Sequence, residues 1–187
     1  PYYNKPTQEG QYQYFKAVAE STDKPIVLYN VPGRTGVNMT AETALRLAEI
    51  PNIVAIKEAS GNRPQVEEIL RNAPKGFDVL SGNDDDTYWM MHQGGAGVIS
   101  VASNVAPKHM AELISAIRGG YTERAFKLNE ELTPLFTNCF VESNPIPAKA
   151  ALHAMGLIEN EFRLPLIPAQ QGTYDLMVET IKKLNLL

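Results

Sequence analysis

Short, almost continuously apolar runs alternate with longer amphipathic stretches through the first part of the chain. The runs are Pro25 to Asn30 (PIVLYN), Asn52 to Ala59 (NIVAIKEA), Phe77 to Gly82 (FDVLSG) and Gly97 to Val101 (GVISV). Apolar residues at consecutive rather than alternate positions mark strands covered on both faces. Between the runs, Gln8 to Ser21, Thr40 to Ala48, Pro64 to Asn72 and Asp84 to Gln93 read as helices. Tyr12, Phe15, Val18 and Ala19 fall on one face of the first. Thr40 with Glu42, and the Asp84 to Asp86 cluster, stand where caps and first-turn acids belong. Strand and helix in alternation, with short connections, predict βαβ crossovers and a parallel sheet.

Beyond Val101 the strand pattern stops. Pro107 to Ile117, Tyr121 to Phe136, Pro147 to Met155 and Gly172 to Leu186 read as helices. The Gly119-Gly120 pair is the one clear break in composition, and it sets an expected division into residues 1–120 and 121–187. SNPIP and RLPLIP read as rigid corners between helices. Four strands do not close a barrel, which takes eight strands and about 250 residues. A barrel reading therefore expects the remaining strands from residues outside this sequence, or a partner chain covering the exposed edges. The opening PYYNKP, which starts on Pro1, reads as the continuation of something longer.

Composition narrows the classes of function. The 187 residues are 44% hydrophobic and 20% charged, which is ordinary for a folded globular chain. Seventeen Lys and Arg against 21 Asp and Glu leave a net charge of −4. That balance argues against a nucleic-acid-binding surface, which needs a basic excess on one face. No apolar run is long enough to span a membrane. Cys139 is the lone cysteine and has no internal partner, so a cytoplasmic setting is expected.

Lys57 is the most informative position. In NIVAIKEAS, Ile53, Ala55 and Lys57 point to one side, and Val54, Ile56 and Glu58 to the other. An amine ending a buried strand must pair, snorkel to solvent or give up its proton. In the neutral form it attacks ketones, and the resulting iminium withdraws electrons. Tyr29 ends the preceding strand on the same face as Val27, level with Lys57 if the two strands are neighbours, where a phenol can move protons. The C-terminal ends of parallel strands are where such folds assemble active sites. Arg34 follows in NVPGRTG, in a turn set by Pro32 and Gly33, placed to hold a carboxylate in a two-pronged pair. Each has a plainer reading: a snorkelling lysine, a core tyrosine with a wet hydroxyl, a solvated arginine. The acids of SGNDDD fit helix-start partners better than a metal site. The GGAG of Gly94 to Gly97 is no dinucleotide motif. His92, His109 and His153 lack ligand spacing, and Cys139 and Trp89 read as packing residues.

At YNVPGRTG, IKEAS, SGND and GVISVASN the sequence closely resembles the dihydrodipicolinate synthase family, a branch of the pyruvate-dependent class I aldolases. The resemblance runs from PYYNKPTQEG to ESNPIPAKAAL. It implies a (β/α)8 barrel, of which this chain supplies about the last four strands, followed by a three-helix C-terminal region. Lys57 corresponds to the family's Schiff-base lysine and Tyr29 to its proton-relay tyrosine. Tyr3 corresponds to a second relay tyrosine donated across a dimer interface. Arg34 corresponds to the residue that binds the carboxylate of aspartate semialdehyde. Gly82 and Ile99 correspond to residues lining the pyruvate pocket, and Tyr2 to a position near the lysine-feedback pocket of some members.

The implied reaction condenses pyruvate with aspartate semialdehyde, on the route to lysine and diaminopimelate, with no metal or organic cofactor. A homo-oligomer, dimer or tetramer, is implied, with no nucleic acid or membrane as partner. One departure bears on this: the family's Gly-Thr-Thr-Gly-Glu motif, which links the relay tyrosines and binds the pyruvate carboxylate, has no counterpart in these residues. Two alternatives stand beside the implied activity. One is another pyruvate lyase, acting on N-acetylneuraminate or an oxo-sugar acid, against which Arg34 argues. The other is a catalytically silent half-barrel.

Overall fold

A computed structural model describes all residues, 1–187. The chain divides into two compact units, Pro1–Ile99 and Ser100–Leu187. In the first, α1 (Gln8–Glu20) leads into β1 (Ile26–Asn30), the one-turn α2 (Pro32–Thr35), α3 (Ala41–Ala48), β2 (Ile53–Glu58), α4 (Arg63–Asn72), β3 (Asp78–Ser81), α5 (Thr87–His92) and β4 (Gly97–Val98). The strands form one parallel sheet in the order β1-β2-β3-β4. Each strand lies beside its predecessor, which is the sequential winding of a β/α barrel.

Local chemistry sets the helix starts. Thr7 Oγ1 accepts from the Gly10 N–H, Thr40 Oγ1 from that of Thr43, and Asn62 Oδ1 from that of Gln65. Leu28, Ile56 and Val79 face the helices and pack with Ala44, Leu47, Val66 and Ile69 in a buried core. Asn52 ties the end of α1 to the start of β2, its amide donating to the carbonyls of Ala19 and Thr22.

Two expected elements begin or end differently. The helix expected from Asp84 starts only at Thr87, because Ser81 and Asn83 bond each other and hold the acids in a turn. β4 ends at Val98 rather than Val101, although the Ile99 N–H still donates to the Ser81 carbonyl at 2.9 Å.

The second unit holds a 3₁₀ turn (Ala102–Asn104) and four helices: α6 (Pro107–Arg118), α7 (Thr122–Asn138), α8 (Ile146–Ala154) and α9 (Gln171–Lys183). Leu113, Leu132, Leu135, Met177, Ile181 and Cys139 are buried there. Asn138 on α7 donates to Thr180 on α9 at 2.8 Å. The Gly119-Gly120 pair, expected as a boundary, lies inside this unit. It turns the chain between α6 and α7, which pack against each other, with Gly120 at φ 73°.

Candidate active site

β1 and β2 place Tyr29 opposite Lys57 and, one residue on, Asn30 opposite Glu58. Alternation along the strands sends these two pairs to opposite faces. Asn30 and Glu58 go into the helix-covered core, whereas Tyr29 is 46% exposed and Lys57 half-buried on the other face. Lys57 Nζ sits 4.1 Å from the centroid of the Tyr29 ring. The contact is to the ring face: no hydrogen bond links the amine to the hydroxyl. An ammonium placed over a ring face in this way is attracted to the ring quadrupole.

Gly82 completes the floor beside the lysine. Its N–H donates to the Glu58 carbonyl at 2.7 Å. A Cβ at this position would lie 2.6 Å from Ala59 Cβ and 3.1 Å from Lys57 Cε, so only glycine fits without displacement. Lys57 is also in register with Leu80 of β3. Ile99 is exposed just beyond β4.

Arg34 stands on α2, where a loop is expected from the sequence. The segment closes one helical turn because the Gly36 N–H donates to the Pro32 carbonyl and Gly36 takes φ 74°. The Arg34 side chain is exposed. Tyr3 is 84% exposed on the N-terminal segment, with a left-handed backbone at φ 69°. Its side chain makes no hydrogen bond or ring contact, so nothing within this chain joins it to the Tyr29–Lys57 pair. The structure thus brings together Lys57, Tyr29 and Gly82, and leaves Tyr3 apart.

Asp84 is buried, and Asp86 pairs with Arg63 at 3.4 Å. Arg63 also lies over the Trp89 ring at 5.0 Å. Partial desolvation, with repulsion from Asp86 and Asp84, raises the Asp85 pKa above the usual aspartate value.

The family model described as the dihydrodipicolinate synthetase family matches residues 1–184. The chain belongs to that family. A 4-hydroxy-tetrahydrodipicolinate synthase from Thermotoga neapolitana is 50% identical over 191 aligned residues, covering 100% of this chain and 65% of that protein. The crystal structure of dihydrodipicolinate synthase from Thermotoga maritima matches with a TM-score of 0.98 at 51% identity, covering 100% of this chain and 65% of that one. The chloride-inhibited enzyme from Acinetobacter baumannii, complexed with pyruvate, matches with a TM-score of 0.96 at 45% identity, covering 100% and 64%. The chain therefore spans slightly less than two thirds of the dihydrodipicolinate synthases it matches. Their (β/α)8 class is the class of this fold, to which the chain contributes four strands and C-terminal helices.

One cluster is not anticipated from the residue pattern. Asn30, Glu58, Gln65 and Asn38 form a buried polar network directly behind the lysine and tyrosine. The available signal is a carboxyl side chain on the core side of an apolar strand, where burial without partners is costly.

Proposed function

We propose that these residues carry the imine-forming part of a 4-hydroxy-tetrahydrodipicolinate synthase active site. The observation that supports this most strongly is Lys57 at the C-terminal end of β2, in register with Tyr29 and 4.1 Å from its ring. The naming of the relatives, one of them complexed with pyruvate, supports the same substrate class.

In this reading the neutral Lys57 amine attacks the pyruvate ketone. Protons pass through the Tyr29 hydroxyl, water leaves, and an iminium forms. Loss of a methyl proton gives an enamine, whose carbon adds to the aldehyde of aspartate semialdehyde and leaves a hydroxyl. Arg34 holds the carboxylate of that second substrate. The substrate amine then attacks the iminium carbon, closing the ring and releasing Lys57 as a free amine. Gly82 and Ile99 line the pyruvate end of the pocket, and Tyr3 completes the relay from a second copy across a dimer interface. A cytoplasmic homotetramer serving lysine and diaminopimelate synthesis accords with this assignment.

Turnover tests it. Pyruvate is expected to be consumed with aspartate semialdehyde at least about a hundredfold faster than with aldehydic sugars that lack its carboxylate, since such substrates forgo the two-pronged carboxylate pairing that Arg34 offers. Arg34→Ala is expected to raise the KM for aspartate semialdehyde while sparing that for pyruvate. Faster turnover of sugar substrates would overturn the substrate assignment in favour of a sugar-acid lyase.

A further inference from the structure

Glu58 is 2% exposed and has no Lys or Arg partner. Its carboxyl is surrounded by N–H donors instead. Asn30 Nδ2 donates at 3.0 Å to Oε2, Gln65 Nε2 at 3.2 Å to the same oxygen, and the Ser60 N–H at 2.6 Å to Oε1. Asn38 closes the ring, accepting from Asn30 at 2.9 Å and donating to Gln65 at 2.8 Å. The Asn30 Oδ1 accepts from the Met39 N–H at 2.9 Å. Gln8 and Gln11 of α1 both donate to the Asn38 carbonyl, so the cluster links α1 and α4 to β1 and β2.

Its placement matters more than its size. Asn30 follows Tyr29 and Glu58 follows Lys57, and the two pairs are successive rungs of one ladder. The Glu58 main-chain carbonyl holds the Gly82 N–H, and the Asn30 carbonyl holds the Ala59 N–H at 2.9 Å. Glu58 therefore binds the exits of β1, β2 and β3 at the level of the amine. Small displacements of a nucleophile cost large factors in rate, because reacting groups must meet at near-contact distance.

We propose that Glu58, with Asn30 and Gln65, is a positioning residue for the reaction at Lys57. It fixes the register of the two strand ends so that the amine stays over the Tyr29 ring. The proposal rests on the reading of Lys57 as the imine-forming amine, and the experiment separates the two.

Protein and pyruvate are mixed, quenched into borohydride after set times, and the Lys57 peptide is weighed, alongside thermal unfolding. If the unaltered protein forms no adduct at Lys57, the imine reading fails and this proposal falls with it. Once the adduct is seen, Glu58→Gln is expected to slow its formation at saturating pyruvate about tenfold in protein that remains folded, with the half-saturating pyruvate concentration unchanged. Glu58→Gln with Gln65→Glu, which returns a carboxyl to the cluster, is expected to recover part of the rate. An unchanged rate in folded Glu58→Gln, or slowing that the double variant does not relieve, overturns the positioning role and leaves the imine reading intact. If Glu58→Gln does not fold, Gln65→Leu serves instead, since Glu58 then keeps Asn30 and Ser60. Slowing of about threefold is expected, and an unchanged rate overturns the proposal.

Discussion

Two side-chain pairs, one residue apart on the same two strands, behave in opposite ways. Asn30 and Glu58 are buried, and their side-chain oxygens and the Asn30 amide nitrogen are engaged by neighbours. Tyr29 and Lys57 stand on the other face, with neither the hydroxyl nor the amine hydrogen-bonded, and touch through a ring. The pleat alone makes the difference, turning one pair into the core and the next out of it. Polar groups that the fold has saturated hold strands in place. Polar groups that it leaves unsaturated, at a strand end, are the ones a ligand can use.

Removing members of the exposed pair should affect chemistry far more than stability. Lys57→Ala is expected to lower turnover by at least about a thousandfold, because it removes the amine proposed to form the imine. Its melting temperature should move by only a few degrees. Tyr29→Phe keeps the ring beneath the amine and removes the hydroxyl, and is expected to slow turnover by about a hundredfold. Urea unfolding should place its stability within about 0.5 kcal/mol of the unaltered protein.

The buried pair should respond in the reverse order. Glu58→Leu removes the carboxylate that accepts from Asn30, Gln65 and the Ser60 N–H, and is expected to cost about 2–3 kcal/mol in urea unfolding. Gly82→Ala sits between the two cases, since its Cβ would collide with Ala59 and press on the Lys57 stem. A loss of about 1–2 kcal/mol is expected, together with slower imine formation.

The smallest effect concerns Asp85, on neither pair. Its pKa is raised in the folded state, so the folded chain holds the proton to higher pH than the unfolded chain does. Stability therefore falls as pH rises from the ordinary aspartate range through the raised value. Asp85→Asn should flatten that fall, by no more than about 0.5 kcal/mol given solvent screening at an exposed residue. Unfolding followed across the acid range checks this.

Much of the exposed pair is legible in the sequence. Continuous apolar runs locate β1 and β2, period-two alternation puts Tyr29 and Lys57 on defined faces, and sequential winding makes the strands neighbours. Arg34 reads as a loop residue because its helical turn is too short to show periodicity, and Gly36 closes it locally. The buried cluster is hidden for a different reason. Asn38 and Gln65 are joined only through tertiary packing, and nothing in their spacing marks them as partners. Alternation puts Glu58 on the correct face, but only the fold reveals that amide donors rather than a cation surround it. The division between units falls before the Gly-Gly pair rather than at it, because such a pair marks a tight turn as readily as a boundary. Here it joins two packed helices.

The chemistry proposed for this strand end depends on Lys57 being the residue that bonds to pyruvate. Incubation with pyruvate and borohydride, then digestion and peptide mass analysis, tests that directly. A reduced pyruvyl adduct confined to the peptide carrying Lys57, and absent from Lys57→Ala, is the result predicted. An unmodified Lys57 under native conditions, or an adduct spread over exposed lysines such as Lys24 and Lys183, would contradict it.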